Sequence, residues 1–494
     1  MSIMDENKSD QPSGKHPSPY IRLKKFHFIM LVFFLVFATA AITTLALAFG
    51  GEKAAEVGMK PRGEFEKLYE AYDKLEKNYY QDINEEKLIN GAINGMLDSL
   101  DDPYSDYMDK KEASQFHESV SSSFEGIGAE IQEEKGMIKI VSPIKGSPAE
   151  KAGLRPNDRI MAVDGKSLEG MSSSEAVLLI RGEKGTKVKL KVQRAGTKEP
   201  MEITIVRDEI PIETVYAEMN NDKVAHIQIT SFSEHTAAEL KKAIEEMEKK
   251  GMKSMVLDVR QNPGGLLDQA VEMTDMFVPE GKVLFQVEDN QGRREKMVSD
   301  SKKKVTVPVV VLVDSGSASA SEIFAAAMKE SAGVTLIGEK TFGKGTVQTA
   351  EDFKDGSNMK FTTAKWLTPN GNWIHKKGIK PDIEVKLPDY ANLPYLNPDS
   401  ELKLDSLSEE VKNGEKMLEA LGYHPGKVDG FFDKATEEAV KEFQKKSGIE
   451  QTGVLSGDTT VQLMTDLREK IQENDTQKEK AIEILKEKQS SSAS

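Results

Sequence analysis

Residues 309–322 read Val-Val-Val-Leu-Val-Asp-Ser-Gly-Ser-Ala-Ser-Ala-Ser-Glu and run straight into an apolar, helix-forming stretch, 321–329. Five consecutive apolar residues are the pattern of a buried strand, and alternation of such strands with amphipathic helices predicts an α/β domain. The small residues that follow crowd a strand-to-helix turn. Such a turn presents a hydroxyl and places backbone N–H groups at a helix N-terminus, where partial positive charge favours a developing oxyanion. Ser319 is therefore a candidate nucleophile. Ordinary capping is the other reading, because Ser is a preferred N-cap and Glu322 stands three residues on, as in a capping box.

The next element, Gly338-Glu339-Lys340-Thr341-Phe342-Gly343-Lys344-Gly345-Thr346-Val347-Gln348, sets a lysine between two glycines. Glycines let the backbone approach another element closely, which would bury an amine that normally prefers water. Burial disfavours the charged form and lowers a lysine pKa toward the working pH, as a general base requires. Gln348 can hold the amine by a hydrogen bond without adding a charge. A surface lysine in a glycine-rich turn is the alternative. The seven histidines sit in no catalytic pattern, Gly-x-Ser-x-Gly and His-Glu-x-x-His do not occur, and with no cysteine there can be neither a thiol nucleophile nor a disulfide.

Taken with Arg260-Gln261-Asn262-Pro263-Gly264-Gly265, Gly91 to Leu97, Leu100-Asp101-Asp102-Pro103-Tyr104-Ser105 and Thr363 to Gly371, these motifs resemble the carboxyl-terminal processing peptidases, over roughly residues 65–385. The resemblance implies a Ser-Lys dyad assisted by Gln: Ser319 as nucleophile, Lys344 as base, Gln348 as orienting residue. It also implies an oxyanion hole from the N–H groups of Gly265, in preference to Gly264, and Ala320, with no metal and no cofactor.

Upstream, between about 124 and 210, short strands with glycine-rich turns replace the α/β pattern. Gly126-Ile127-Gly128-Ala129, Ser147 to Leu154, and Asp158-Arg159-Ile160 leading to Asp164-Gly165 resemble a PDZ domain of the bacterial protease type. That resemblance implies that substrate C-termini dock on the Gly126 to Ala129 loop, since exposed backbone N–H groups capture a carboxylate and a sheet edge accepts an added strand. Arg181 is a candidate contact from this domain to the peptidase domain. Farther out, Leu421-Gly422-Tyr423, Asp429-Gly430, Phe443-Gln444 and Thr452-Gly453 look like the peptidoglycan-binding repeat of cell-wall proteins.

Residues 28–49 carry no charge and are long enough to cross a bilayer. Lys15, Arg22, Lys24 and Lys25 precede them, so the positive-inside rule leaves the N-terminus in the cytoplasm and the rest outside. A signal peptide cleaved near Ala48 is the alternative, and it exports the same residues. A formal charge of −15 excludes a nucleic-acid binder. The expected order over 494 residues is a cytoplasmic tail (1–27), membrane helix (28–49) and helical segment that could form a homodimer contact (50–121). A PDZ domain (122–211), Ser-Lys peptidase domain (212–386), linker (387–406), peptidoglycan-binding-like helical domain (407–470) and charged tail (471–494) complete it. The competing functions are a catalytically inactive wall-bound PDZ scaffold and a cell-wall hydrolase.

Overall fold

This computed structural model describes residues 63–492, apart from 135, 195–196, 198, 301 and 303–304. The expected membrane span at 28–49 lies outside the described residues, and among those described no helix is long and apolar enough to cross a membrane. Two units separate, 1–91 and 92–494. In the first, the helix Glu66–Asn78 buries none of its residues, and Leu68 and Leu75 stand exposed along it, with Tyr79 exposed just past its end.

The centre of the second unit is a six-stranded sheet in the spatial order Val215–Met219, Val224–Ile229, Ser254–Asp258, Val309–Val313, Thr335–Gly338, Ile383–Glu384. All neighbours are parallel except the antiparallel first pair. Its two faces read directly from the period of two. Val309, Val311 and Val313, with Ala225, Ile227, Met255 and Leu257, pack against the helices Thr236–Lys249, Leu267–Asp275 and Ala320–Glu330. Val310 and Leu312, with Val224, Val256 and Ile337, point the other way and are covered by Ala481 and Leu485 of the helix Thr476–Ser492.

The C-terminal segment 471–494, expected to be a charged tail with a helix in it, does carry that helix, and the helix is docked on the sheet. Residues four apart share one face, so Ala481 and Leu485 suffice for an apolar strip amid lysines and glutamates. Polar contacts fix its start. Arg260 donates to Asp475 and Gln477 (2.6–2.9 Å) and to Asp258 (2.6–2.9 Å), and Asp258 in turn lies 3.0 Å from the His226 ring. Asp258 is almost wholly buried. Burial works against its ionisation, but bonds from His226 and the Arg260 charge prevail and hold its carboxyl far below the usual range. Removing one partner of a buried ion pair strands the other, so Arg260→Met is expected to destabilise the peptidase core by about 3–5 kcal/mol. Urea unfolding followed by intrinsic fluorescence checks this, and an unchanged midpoint would count against the network.

A second sheet joins Asp106–Met108, Asn358–Leu367, Val283–Glu288 and Arg294–Val298, with Thr346–Asp352 also paired to Asn358–Leu367. The glycine-rich region between 129 and 206 forms its own sheet of Ala129–Glu134, Met137–Pro143, Arg159–Val163, Lys187–Gln193 and Met201–Val206, with Lys166–Ser167 beside Arg159–Val163. Its core includes Ile138, Ile140, Val188, Leu190 and Ala176 of the helix Ser173–Ile180. The helices Glu409–Ala420, Lys434–Ser447 and Gly457–Glu473 enclose Val411, Leu418, Phe432, Val440 and Phe443. Leu396 and Leu402, from the stretch expected to be a linker, are buried in that same cluster, so this stretch packs as part of the C-terminal domain.

Candidate active site

The strand Val309–Val313 ends against the loop 260–265, and hydrogen bonds lace the two together. Asp314 Oδ1 accepts from the N–H groups of Gln261 (2.9 Å), Gly316 (2.9 Å) and Ser317 (3.1 Å). The Asn262 carbonyl accepts from the Ala318 N–H (3.0 Å) and the Ser321 hydroxyl (2.8 Å), and Ser317 Oγ donates to the Val259 carbonyl (2.7 Å). Ser319 sits at the mouth of the helix Ala320–Glu330 with φ +53° and ψ −113°, a conformation costly for a non-glycine residue. Such strain persists only where the surroundings over-determine it.

Gly264 comes close enough to the turn that a Cβ there would lie 2.9 Å from Ser319 Cβ and 2.7 Å from the Ala318 oxygen. Its N–H is already used, donating to Asn262 Oδ1 at 2.9 Å. No hydrogen bond among the described residues takes the N–H of Gly265 or of Ala320.

Lys344 lies between Gly343 and Gly345 because the segment 373–378 crosses there. A Cβ on Gly343 would approach the Gly378 nitrogen to 2.8 Å, and one on Gly345 the His375 nitrogen to 2.9 Å. The indoles of Trp366 and Trp373 donate to the carbonyls of Lys344 and Gly345, both at 2.8 Å. The Lys344 amine lies 4.9 Å from the centre of the Tyr104 ring. Burial and the nearby Lys360 lower its pKa below the ordinary lysine range, against an opposite pull from Asp102 and Glu322. Gln348 donates through Nε2 to Thr346 Oγ1 (2.9 Å) and Thr362 Oγ1 (3.3 Å). With both donors so used, Oε1 is the atom left for the amine, and no hydrogen bond joins Gln348 to Lys344 here.

Tyr104 belongs to the Leu100–Ser105 motif, whose sequence signals no role for it. Its turn is latched: Asp102 accepts from Ser105 Oγ (2.6 Å) and the Tyr104 N–H (3.2 Å), and Ser105 Oγ accepts from the Thr362 N–H (3.1 Å). The loop expected to receive a carboxylate has Gly126, Ile127 and Gly128 buried and Ala129 half-buried. Gly128 has φ +72°, and its carbonyl accepts from Ser147 Oγ at 2.8 Å. Arg181 packs over the Phe124 ring beside Gly126 and donates to Glu118 at 2.8 Å. Its partner is thus the helix Lys110–Ser121, which reaches the peptidase region through the Val120 carbonyl, acceptor of the Glu234 N–H (3.2 Å).

A serine on a strained strand-to-helix turn, packed against a glycine loop, is the kind of arrangement that a serine-type peptidase needs. Comparison with known proteins assigns the family. Residues 223–385 match the model of peptidase family S41, 139–194 a PDZ domain, 408–463 a putative peptidoglycan binding domain and 43–112 the N-terminal domain of the activating protease CtpB. The chain is 53% identical over 459 residues to the carboxy-terminal processing protease CtpA of Bacillus subtilis (strain 168), covering 92% of this chain and 98% of that one. It is 46% identical over 425 residues to CtpB of the same organism, covering 85% and 88%. Among solved structures it is similar to a photosystem II D1 C-terminal processing protease, with 31% identity, a TM-score of 0.39, and coverage of 65% of this chain and 87% of that chain. The chain belongs to peptidase family S41, as a C-terminal processing serine protease carrying a PDZ domain and a peptidoglycan-binding domain.

Proposed function

We propose that Ser319 and Lys344 form the dyad of this protease, acting on proteins outside the cytoplasm. The observation that carries this reading is that the N–H groups of Ser319 and Lys344 converge on one oxygen of Glu322, at 3.0 and 2.8 Å, while the lysine amine is partly buried against Tyr104. Neutral Lys344 takes the Ser319 hydroxyl proton as the oxygen attacks the peptide carbonyl, and returns it to the leaving amine. Water, deprotonated by the same amine, then attacks the acyl-enzyme, and the ammonium returns that proton to the departing Ser319 oxygen. The free N–H groups of Gly265 and Ala320 receive the oxyanion, and Gln348 steadies the amine through Oε1.

In the same reading, the loop Gly126 to Ala129 receives substrate C-termini. Residues 28–49 anchor the chain with its catalytic part outside, secretion after cleavage near Ala48 being the variant that the same residues allow. The exposed apolar side chains of the helix Glu66–Asn78 support a homodimer contact, and the C-terminal domain a hold on peptidoglycan. Membership of the protease family favours an active enzyme over the inactive scaffold.

Covalent trapping tests the centre of this reading. Incubating the full chain with a serine-directed phosphonate and mapping the adduct by mass spectrometry is expected to label Ser319. Labelling should rise with pH as Lys344 loses its proton. An adduct on another serine, or none while unfolded casein is still cleaved, would overturn the assignment.

A further inference from the structure

Glu322 is fully buried, 0% exposed, in a place where a cap residue has no need to be. Its Oε2 accepts from the Ser319 N–H (3.0 Å) and the Lys344 N–H (2.8 Å). Its Oε1 accepts from the Gly343 N–H (2.8 Å) and the Thr341 hydroxyl (2.5 Å). Thr341 Oγ1 in turn accepts from the Ile379 N–H at 2.7 Å, so the chain of bonds continues into the segment that crosses Gly343 and Gly345. A capping box accounts for the first of these bonds alone. The other three reach 19 to 22 residues along the chain, to the loop that carries the lysine.

We propose that Glu322 is a positioning residue of the proteolytic reaction: its ionised carboxylate clamps the backbone of Ser319 to that of Lys344 and so sets the distance over which the proton moves. This rests on the reading of Ser319 and Lys344 as nucleophile and base. Three of the four partners are N–H groups that can only donate, and Thr341 Oγ1 gives its proton to Glu322 while accepting from Ile379, which is the set of bonds an ionised carboxylate makes. Burial pushes the Glu322 carboxyl up, and bonds from Thr341, Lys344, Gly343 and Ser319 oppose it. The clamp also explains how Ser319 keeps its strained φ, because the N–H of that residue is fixed from inside the helix it precedes. There is a cost to it: the negative charge raises the pKa of Lys344, against the effect of burial. An amide in place of the carboxylate would turn an NH2 group onto two N–H donors, or onto one N–H and one hydroxyl, and release half of the clamp.

The test is steady-state cleavage of a short peptide by the full chain, across pH, for wild type, Glu322→Gln, Glu322→Asp and Ser319→Ala, with thermal unfolding of each. Glu322→Gln is expected to lower kcat about 100-fold, as a displacement of roughly 1 Å does, with KM within about threefold. Its acid limb should move to lower pH, because one negative charge is gone from beside Lys344. Lys360 on one strand, Asp102 and Tyr104 in the latched turn, and His375 in the crossing segment stay as they are. Glu322→Asp keeps the charge and shortens the reach, so kcat falls while the limb stays in place. A folded Glu322→Gln with wild-type kcat and pH profile, beside an inactive Ser319→Ala, overturns the clamp alone. Retained cleavage by Ser319→Ala removes the dyad and the clamp with it. Should Glu322→Gln fail to fold, Glu322→Asp decides: folded protein with wild-type kcat overturns the proposal.

Discussion

Ser319→Ala and Lys344→Met each lower kcat on an unfolded protein substrate by about 10⁴-fold or more, and the double variant is no worse than either alone. Groups that act as one unit lose their contribution together, so additivity would show that the two residues serve separate steps. Methionine is the informative replacement for Lys344, because it keeps an unbranched apolar stem against Tyr104 and removes only the amine. Folding is expected to survive, since the change also removes the cost of burying an ammonium. The wild-type pH profile completes the argument. A base works in its neutral form, so kcat/KM should rise with pH through the Lys344 pKa and then level off. With burial as the first cause and Lys360 as the second, that midpoint lies below the ordinary lysine range. Lys360→Gln removes the like charge and moves the limb to higher pH. Asp102→Asn removes an opposite charge and moves it lower. A limb that ignores both substitutions would mean that another group titrates.

Much of this arrangement could be read before any coordinates, and the parts that could not have a common cause. The strand Val309–Val313, the turn after it and the glycine-flanked lysine are local patterns, in which residue type and spacing report burial and chain direction. The PDZ sheet and the C-terminal helices are legible for the same reason. Long-range pairings left no such trace. Glu322 reads as a cap in its own neighbourhood, and nothing nearby signals that its carboxylate meets residues 341, 343 and 344. Asn262 looks like a turn residue, yet it takes the N–H of Gly264 and leaves that of Gly265 as the available donor. The helix Thr476–Ser492 hides Ala481 and Leu485 among charges, so its place on the sheet follows only from the apolar face that Val310 and Leu312 turn toward it. Tyr104 lies 240 residues from Lys344 in the sequence and 4.9 Å from it in space.

Gly265→Ala should cost about 10²–10³ in kcat, the loss expected when one oxyanion donor is withdrawn. The reason is steric and specific. Gly265 has φ +140°, and a Cβ built there lies 2.1 Å from the Phe232 carbonyl oxygen and 2.8 Å from its carbon. Those are backbone atoms, held by the Phe232 N–H to Gly264 carbonyl bond (2.9 Å) and the Leu266 N–H to Phe232 carbonyl bond (2.6 Å). That backbone is tied on both sides, so the glycine loop must shift, carrying the Gly265 N–H off its line. Because that N–H matters most when charge develops on the oxygen, kcat and kcat/KM should fall together, with KM little changed. Gly251→Ala provides the comparison: φ is also positive there, at +84°, but nothing lies within 4 Å of the new carbon. It shares the backbone strain without the collision, and should lose about 1 kcal/mol of stability and no activity. If both variants lost activity alike, strain in general would explain the effect. If Gly265→Ala kept its kcat, the oxyanion would have to be held elsewhere, and the Ala320 N–H at the helix mouth would be left to do it unaided.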